Sequence, residues 1–198
     1  MSETARRASL IAAARDLFME GGYAALSTNA VAARAKVSKR SLYEAFDSID
    51  ALFAAVVADH SGEMLRIPPD DDMPLDEALV YIFHVDIGEE DDERRHAFLR
   101  AATLDRERFP QVHATIMAKG LEPSRKRLAD WLADQARKNR IIAPEPERLA
   151  RVLMDLVMSS SVFHPGSREA WPDRRQRADH IRYCIHVALD GVRARPGP

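Results

Sequence analysis

The chain has 198 residues, 46% of them hydrophobic, and a formal net charge of -2, which suits one medium domain or two small, closely packed ones. Its one cysteine, Cys184, excludes an intrachain disulfide, and no run of about 18 apolar residues is present to span a membrane. Arg6, Arg7, Arg15 and Asp16 break the N-terminal stretch where a secretory signal would be apolar, so the expectation is a cytoplasmic protein with no membrane partner.

In chain order, apolar residues at Leu10, Ala13, Ala14, Leu17 and Phe18 form one stripe and predict a first helix from about Thr4 to Glu20, stopped by Gly21 and Gly22. Ser27 or Thr28 can cap a short second helix through Val31 and Ala32 to Ala35, and Ser38 a third holding Leu42, Tyr43 and Phe46. Asp47 or Ser48 caps a fourth that carries Leu52, Phe53, Val56, Val57, His60 and Met64. The stretch "IPPDDDMP" then reads as a surface linker. Beyond it the period predicts helices near Leu75 to Ile87, Asp92 to Arg106, Pro110 to Asn139 with a kink at Pro123, Glu145 to Phe163 and Asp173 to Arg193. No sustained alternation marks a strand, and the fold class is all-α.

Charge is distributed unevenly. Asp70 to Glu93 holds eleven acids and no Lys or Arg, whereas Arg34 to Phe46 holds four bases (Arg34, Lys36, Lys39, Arg40) against the single acid Glu44. The basic stretch coincides with two short helices joined by a tight turn, which is the pattern of a helix-turn-helix. Ala32 is small where the helices must cross, Val31, Val37 and Leu42 supply the apolar contacts that fix the crossing, and Lys36 occupies the turn. Ser38, Lys39, Arg40 and Ser41 then point outward, offering two cations, two hydroxyls and the N–H groups of a helix start to phosphates and base edges.

The stretch "AARDLFMEGGYAALSTNAVAARAKVSKRSLYEAFDSIDALFAAVV" resembles the DNA-binding region of the TetR family of transcriptional regulators. Ala14, Leu17, Phe18, Gly22, Tyr23, Thr28, Val31, Ala32, Ala35, Val37, Ser38, Leu42, Tyr43 and Phe46 carry the likeness. The resemblance implies that Thr28 and Tyr43 contact phosphates and that Ser38 to Ser41 meet the major groove; Lys36 and Ser48 complete the expected DNA-binding set. Two positions depart from the family pattern. Lys36 stands where a turn glycine is usual, at a cost of about 1 kcal/mol if the residue takes a positive φ. Ile49 stands where many members carry lysine, which either removes one phosphate contact per subunit or makes Ile49 an apolar staple between the first and fourth helices.

The C-terminal stretches "FLRAATLDRERFPQVHATIMAKG" and "LADWLADQARKNRIIAPEPERLARVLMDLV" are similar to the ligand-binding half of the AefR-like branch. By that resemblance the helices enclose an effector pocket, with Phe83, Phe98, Ala102, Ile116, Met117, Trp131, Met154 and Met158 as candidate lining, although apolar residues at helical spacing are more often simple core. The family also implies a homodimer through a four-helix bundle built from the last two helices. Leu149, Val152, Leu153, Leu156 and Val157 give one stripe and Ile181, Ile185, Val187 and Leu189 the other, each open to use as core, as interface or as both.

Other chemistry is weakly signalled. His84 with Asp86, and His96 with His113, lack metal-motif spacing, no Gly-x-Ser-x-Gly is present, and Cys184 on an apolar helix face is expected to be a buried, inert thiol. The acids Glu89 to Glu93 suit a solvated helix start. The expectation is therefore a regulator, not an enzyme, with no cofactor and no metal. Residues 1–48 form a helix-turn-helix domain and 49–198 an effector-binding and dimerisation domain, with the fourth helix shared. Its partners are double-stranded operator DNA, a second copy of the chain and a small-molecule effector that releases a repressor from its operator. The rival reading is a ligand-binding or enzymatic helical bundle that has lost DNA binding.

Overall fold

The computed structural model describes residues 2–67, 73–105, 107–159 and 174–192. Among these residues the chain is all-α and contains no strand. The helices are α1 (Glu3–Gly21), α2 (Thr28–Arg34), α3 (Lys39–Ala45), α4 (Ile49–Met64), α5 (Leu75–Ile82), α6 (Glu89–Leu104), α7 (Pro110–Ile116), α8 (Glu122–Arg137), α9 (Pro146–Ser159) and α10 (Arg174–Val192). A 3-10 turn (Tyr23–Ala25) follows α1, and a π-helical turn (Met117–Leu121) joins α7 to α8. Most of the expected linker, and the expected helix ends at Arg106, Phe163, Asp173 and Arg193, lie outside the described residues.

Serine caps set four N-termini, those of α2, α3 and α4 at positions the sequence offers and that of α1 at Ser2, ahead of the expected start. The Oγ of Ser2, Ser27, Ser38 and Ser48 accepts the N–H of Ala5, Ala30, Ser41 and Ala51, at 3.2, 3.2, 3.1 and 3.0 Å. Two helix ends differ from expectation. α5 stops at Ile82, short of Ile87, because His84 takes a φ of 54°, and the Val85 N–H reaches the Val80 carbonyl while the His84 N–H reaches that of Tyr81. Those two bonds satisfy the last carbonyls of the helix and turn the chain away. The long helix expected over Pro110 to Asn139 is broken by the π turn just before Pro123, not kinked at the proline itself. Widening the turn takes the proline ring off the carbonyl one turn back, and the Ser61 hydroxyl donates to the Gly120 carbonyl inside that turn at 2.9 Å.

Packing divides the chain into two compact units, one of Met1–Ser61 with Glu93–Leu121 and one of Gly62–Asp92 with Glu122–Pro198. This division by packing runs along different lines from the division at residues 48 and 49 expected from the sequence. In the first unit Leu10, Phe18, Val31, Leu42, Phe53, Val56, Phe98 and Val112 form one core. The Phe18 ring lies 4.9 Å from that of Phe53 and 5.1 Å from that of Phe98. Burying each of these rings contributes about 1.5–3 kcal/mol, so a truncation here costs a sizeable part of the domain's stability.

In the second unit α8 packs on α9, and α10 packs on α5 and α9. Leu79, Ile82, Leu128, Leu132 and Ile185 fill its interior. Three arginines of α10 hold the segment between α5 and α6 and the first turn of α6: Arg174 donates to the Ile87 carbonyl, Arg177 pairs with Asp92 and Arg182 with Asp86. The remaining acids at the start of α6, among them Glu89 and Glu90, are exposed in its first turn, where the sequence places them.

Candidate nucleic-acid interface

The site is built on α2 and α3. Val31 and Ala32 of α2 and Leu42 of α3 are buried with Phe46, and Val37 in the turn is half-buried, so the crossing is fixed from the apolar side by the residues expected to fix it. The turn between the helices is a Schellman motif: the Val37 N–H bonds the Ala32 carbonyl at 3.0 Å and the Lys36 N–H that of Ala33 at 3.2 Å. Lys36 sits at the left-handed position with a φ of 55°. Lys36→Gly is therefore expected to stabilise the protein by about 1 kcal/mol in chemical denaturation, while removing one cation from the DNA-facing edge.

What the apolar contacts leave outward is polar. Ser38, Lys39, Arg40 and Tyr43 are exposed, the Arg40 side chain 89% and Tyr43 56%. The Tyr43 hydroxyl lies 3.2 Å from the Thr28 Oγ1, so the two residues assigned to phosphate come together from the start of α2 and the second half of α3. Ser38 and Ser41 share a hydrogen bond at 2.9 Å and cap α3, so their hydroxyls already shape the first turn. Arg40 is held along the helix by Glu44, at 3.0 Å, and Glu44 also receives Arg6 of α1 at 3.3 Å. Ile49 begins α4 half-buried against the first unit's core, which is the apolar one of its two readings.

Several residues that position this edge have no local sequence signal. The Arg34 guanidinium grips the Glu20 carboxylate with two bonds of 2.8 and 2.9 Å, which holds that carboxyl below its usual range and ties the end of α2 to the end of α1. Arg7 lies over the Phe46 ring at 4.1 Å and donates to the Ala45 carbonyl at the end of α3. Tyr23, in the turn that leads to α2, is packed edge-on to Phe53 and beside Phe109; its hydroxyl donates to Asp50 and its backbone N–H to Asp105. Burial pushes the Asp105 carboxyl up, against the opposing pull of Arg108.

The eight residues proposed from sequence for an effector pocket are divided between the two units. Phe98, Ala102, Ile116 and Met117 belong to the first unit, where Phe98 is core, and Phe83, Trp131, Met154 and Met158 belong to the second. A cleft of about 560 Å³ opens in the second unit between α5 and α10, and none of the eight lines it. Of the seven proposed dimer residues, Leu153, Ile181, Ile185 and Leu189 are buried within the chain, Leu149 and Leu156 are half-buried, and Val152 is 51% exposed. Exposed apolar area on α10 comes instead from Tyr183 (66%) and Val187 (52%). Cys184 is half-buried, not fully buried as expected, with burial pushing its thiol up and His180 Nε2 at 3.5 Å. Among the described residues no group of three or more His, Cys, Asp or Glu could hold a metal ion, and no helix is long and apolar enough to cross a membrane.

A family model of bacterial regulatory proteins of the tetR family matches residues 10–56, the stretch that holds the helix-turn-helix, and one of the C-terminal domain of AefR-like transcriptional repressors matches residues 92–191. The chain belongs to the TetR family of transcriptional regulators. Solved TetR-fold structures align over nearly its whole length. A transcriptional regulator from Rhodococcus sp. Rha1 is 24% identical, with a TM-score of 0.70, covering 96% of this chain and 99% of that one. A TetR regulator from Agrobacterium tumefaciens is 22% identical, with a TM-score of 0.71 and coverage of 96% and 95%. The flavonoid-responsive regulator FrrA is 23% identical, with a TM-score of 0.66 and coverage of 98% and 100%. No curated protein sequence matches the chain significantly. The fold shared with these structures and the tetR-family match over residues 10–56 give the exposed edge of α2 and α3 its setting: a helix-turn-helix on an all-α chain.

Proposed function

We propose that this TetR-family chain is a repressor that binds an operator as a homodimer and leaves it when a small molecule occupies the C-terminal region. The observation that carries the DNA half is the outward edge of α3, where Lys39, Arg40 and Tyr43 are exposed while Leu42 beside them is buried, with Thr28 of α2 next to Tyr43. Tyr43 and Thr28 bind phosphate, Lys36 and Lys39 add charge, and Arg40 exchanges Glu44 for a base edge in the major groove, with Ser38, Ser41 and the Ser48 cap alongside. Position-specific substitution tests this. Arg40→Ala is expected to relax discrimination at one base position by about 1–3 kcal/mol, and Tyr43→Phe to weaken operator and random DNA alike. Equal losses on operator and random DNA for Arg40→Ala would remove its base-reading role.

The homodimer is supported by solvent-exposed apolar area on the last two described helices. Val152 with Leu149 and Leu156 lies along one flank of α9, and Tyr183 and Val187 along one flank of α10. A two-fold interface uses the same patch on both copies. Val152→Glu combined with Val187→Glu should give a folded monomer by sedimentation, because both side chains are exposed in the single chain. A dimer that survives both substitutions places the interface elsewhere. The effector half is supported by the cleft of the second unit, and FrrA, a regulator of the same fold, is described as flavonoid-responsive.

A further inference from the structure

The cleft in the second unit has walls of opposite character. α5 contributes Asp76 and Glu77, and one turn further on Tyr81, whose ring is 41% exposed. α10, packed against α5, contributes Arg182 and His186, spaced i and i+4 so that they share one face. Ile185 and Val80 give the space between them an apolar floor, and Arg66 brings a second guanidinium, 5.8 Å from the Tyr81 ring centre. On the helical period Arg182 and His186 are centred roughly 100° round α10 from Tyr183 and Val187, so the cleft and that apolar flank occupy neighbouring faces of the helix.

We infer that this cleft binds a small ω-amino carboxylic acid, a molecule with an ammonium at one end, a carboxylate at the other and an apolar chain between. The ammonium sits against Asp76 and Glu77, whose carboxylates favour it. The carboxylate takes the Arg182 fork in place of Asp86. That exchange is easy, because the Arg182–Asp86 pair is solvent-exposed and such pairs hold weakly. A simple anion would meet Asp76 and Glu77, and a simple cation would leave the guanidiniums unused. Packed helix axes stand roughly 8–10 Å apart, so an α-amino acid is too short to reach both walls and the charges must be separated by several bonds.

The same exchange has a consequence for regulation. Asp86 lies two residues after His84, which lines the cleft and holds a φ of 54°, a left-handed backbone unusual for histidine. Release of Asp86 removes one of the three arginine holds of α10 on the stretch that leads into α6. This regulatory step rests on the effector reading above; the ligand site itself does not.

Calorimetric titration of the full chain with 6-aminohexanoate, hexylamine and hexanoate separates the possibilities, since the three share one aliphatic body. 6-Aminohexanoate is expected to saturate the wild-type chain and to bind at least tenfold tighter than either monoion. Asp76→Asn with Glu77→Gln should abolish its advantage over hexanoate, and Arg182→Gln its advantage over hexylamine. Arg66→Gln serves as the second cationic variant if Arg182→Gln lowers the melting temperature. Equal binding of all three, no saturable binding by any, or unchanged affinity in folded variants would overturn the proposal. If 6-aminohexanoate binds but operator affinity does not change, the cleft is a ligand site and the effector reading fails. Operator release by another compound, with no 6-aminohexanoate binding, leaves the effector reading standing and removes this one.

Discussion

Gly22→Ala is expected to destabilise the first unit by about 3 kcal/mol in equilibrium denaturation, the sum of two local penalties. Gly22 ends α1 with a φ of 69° and a ψ of -167°, a region open almost only to glycine, which costs another residue of order 1–3 kcal/mol. A Cβ there would also stand 2.5 Å from the Asp105 Oδ2, the oxygen that accepts the Tyr23 N–H. The clash would push Asp105 away and leave that donor without its acceptor. Gly62→Ala supplies the contrast, since its Cβ would meet nothing within 4 Å in the last turn of α4, and it should stabilise by up to about 1 kcal/mol. Adding Asp105→Ala to Gly22→Ala should relieve the clash and keep the backbone penalty. Equal stability of the Gly22→Ala and wild-type chains would contradict the assignment.

The second large effect is a loss of stability in acid centred on His60. This histidine is buried on α4 with its ring stacked on Phe98 at 3.9 Å, and its Nε2 has no hydrogen-bond partner among the described residues. Burial first, and then the charges of Arg95 and Arg15, lower its pKa from 6.5 to about 4. The unfolded chain thus binds a proton in the window from pH 6.5 to 4 that the folded chain refuses. Stability is unaffected by this group above pH 6.5 and falls as the pH drops through that window, the loss reaching about 3 kcal/mol at its lower end. His60→Met, close in volume, should flatten the stability profile over that window by this amount relative to wild type. An unchanged profile would mean that other groups carry the acid sensitivity.

Much of the DNA-facing half was legible because its determinants are local. Ser27, Ser38 and Ser48 each bond a backbone N–H three residues on, so a cap and an apolar stripe suffice to place α2, α3 and the start of α4. The crossing residues Val31, Ala32 and Leu42 are buried for the same reason. The positive φ of Lys36 could be foreseen only from the family's usual glycine, whereas His84 gave no such warning and ended α5 early. Asp105 lies 82 residues from Tyr23 and the Arg34–Glu20 clamp joins two helices, so neither contact has a local pattern. Helical period separated apolar from polar faces in α9 and α10 but not core from exposed area on the apolar face. Leu153 and Ile185 are buried, while Val152 and Val187 one or two positions away are half open to solvent.

Operator reading by the α3 edge is tested on a duplex selected by this chain from randomised DNA, with its affinity measured against salt concentration. Lys36 and Lys39, with Arg40, supply two to three cations per subunit. For a dimer the slope of log K on log salt is then expected at roughly -4 to -5, and Lys39→Ala should make it shallower by about 2 without changing the preferred sequence. Selection that enriches no sequence, with an affinity flat in salt and indifferent to Lys39→Ala, would show that this edge does not bind DNA.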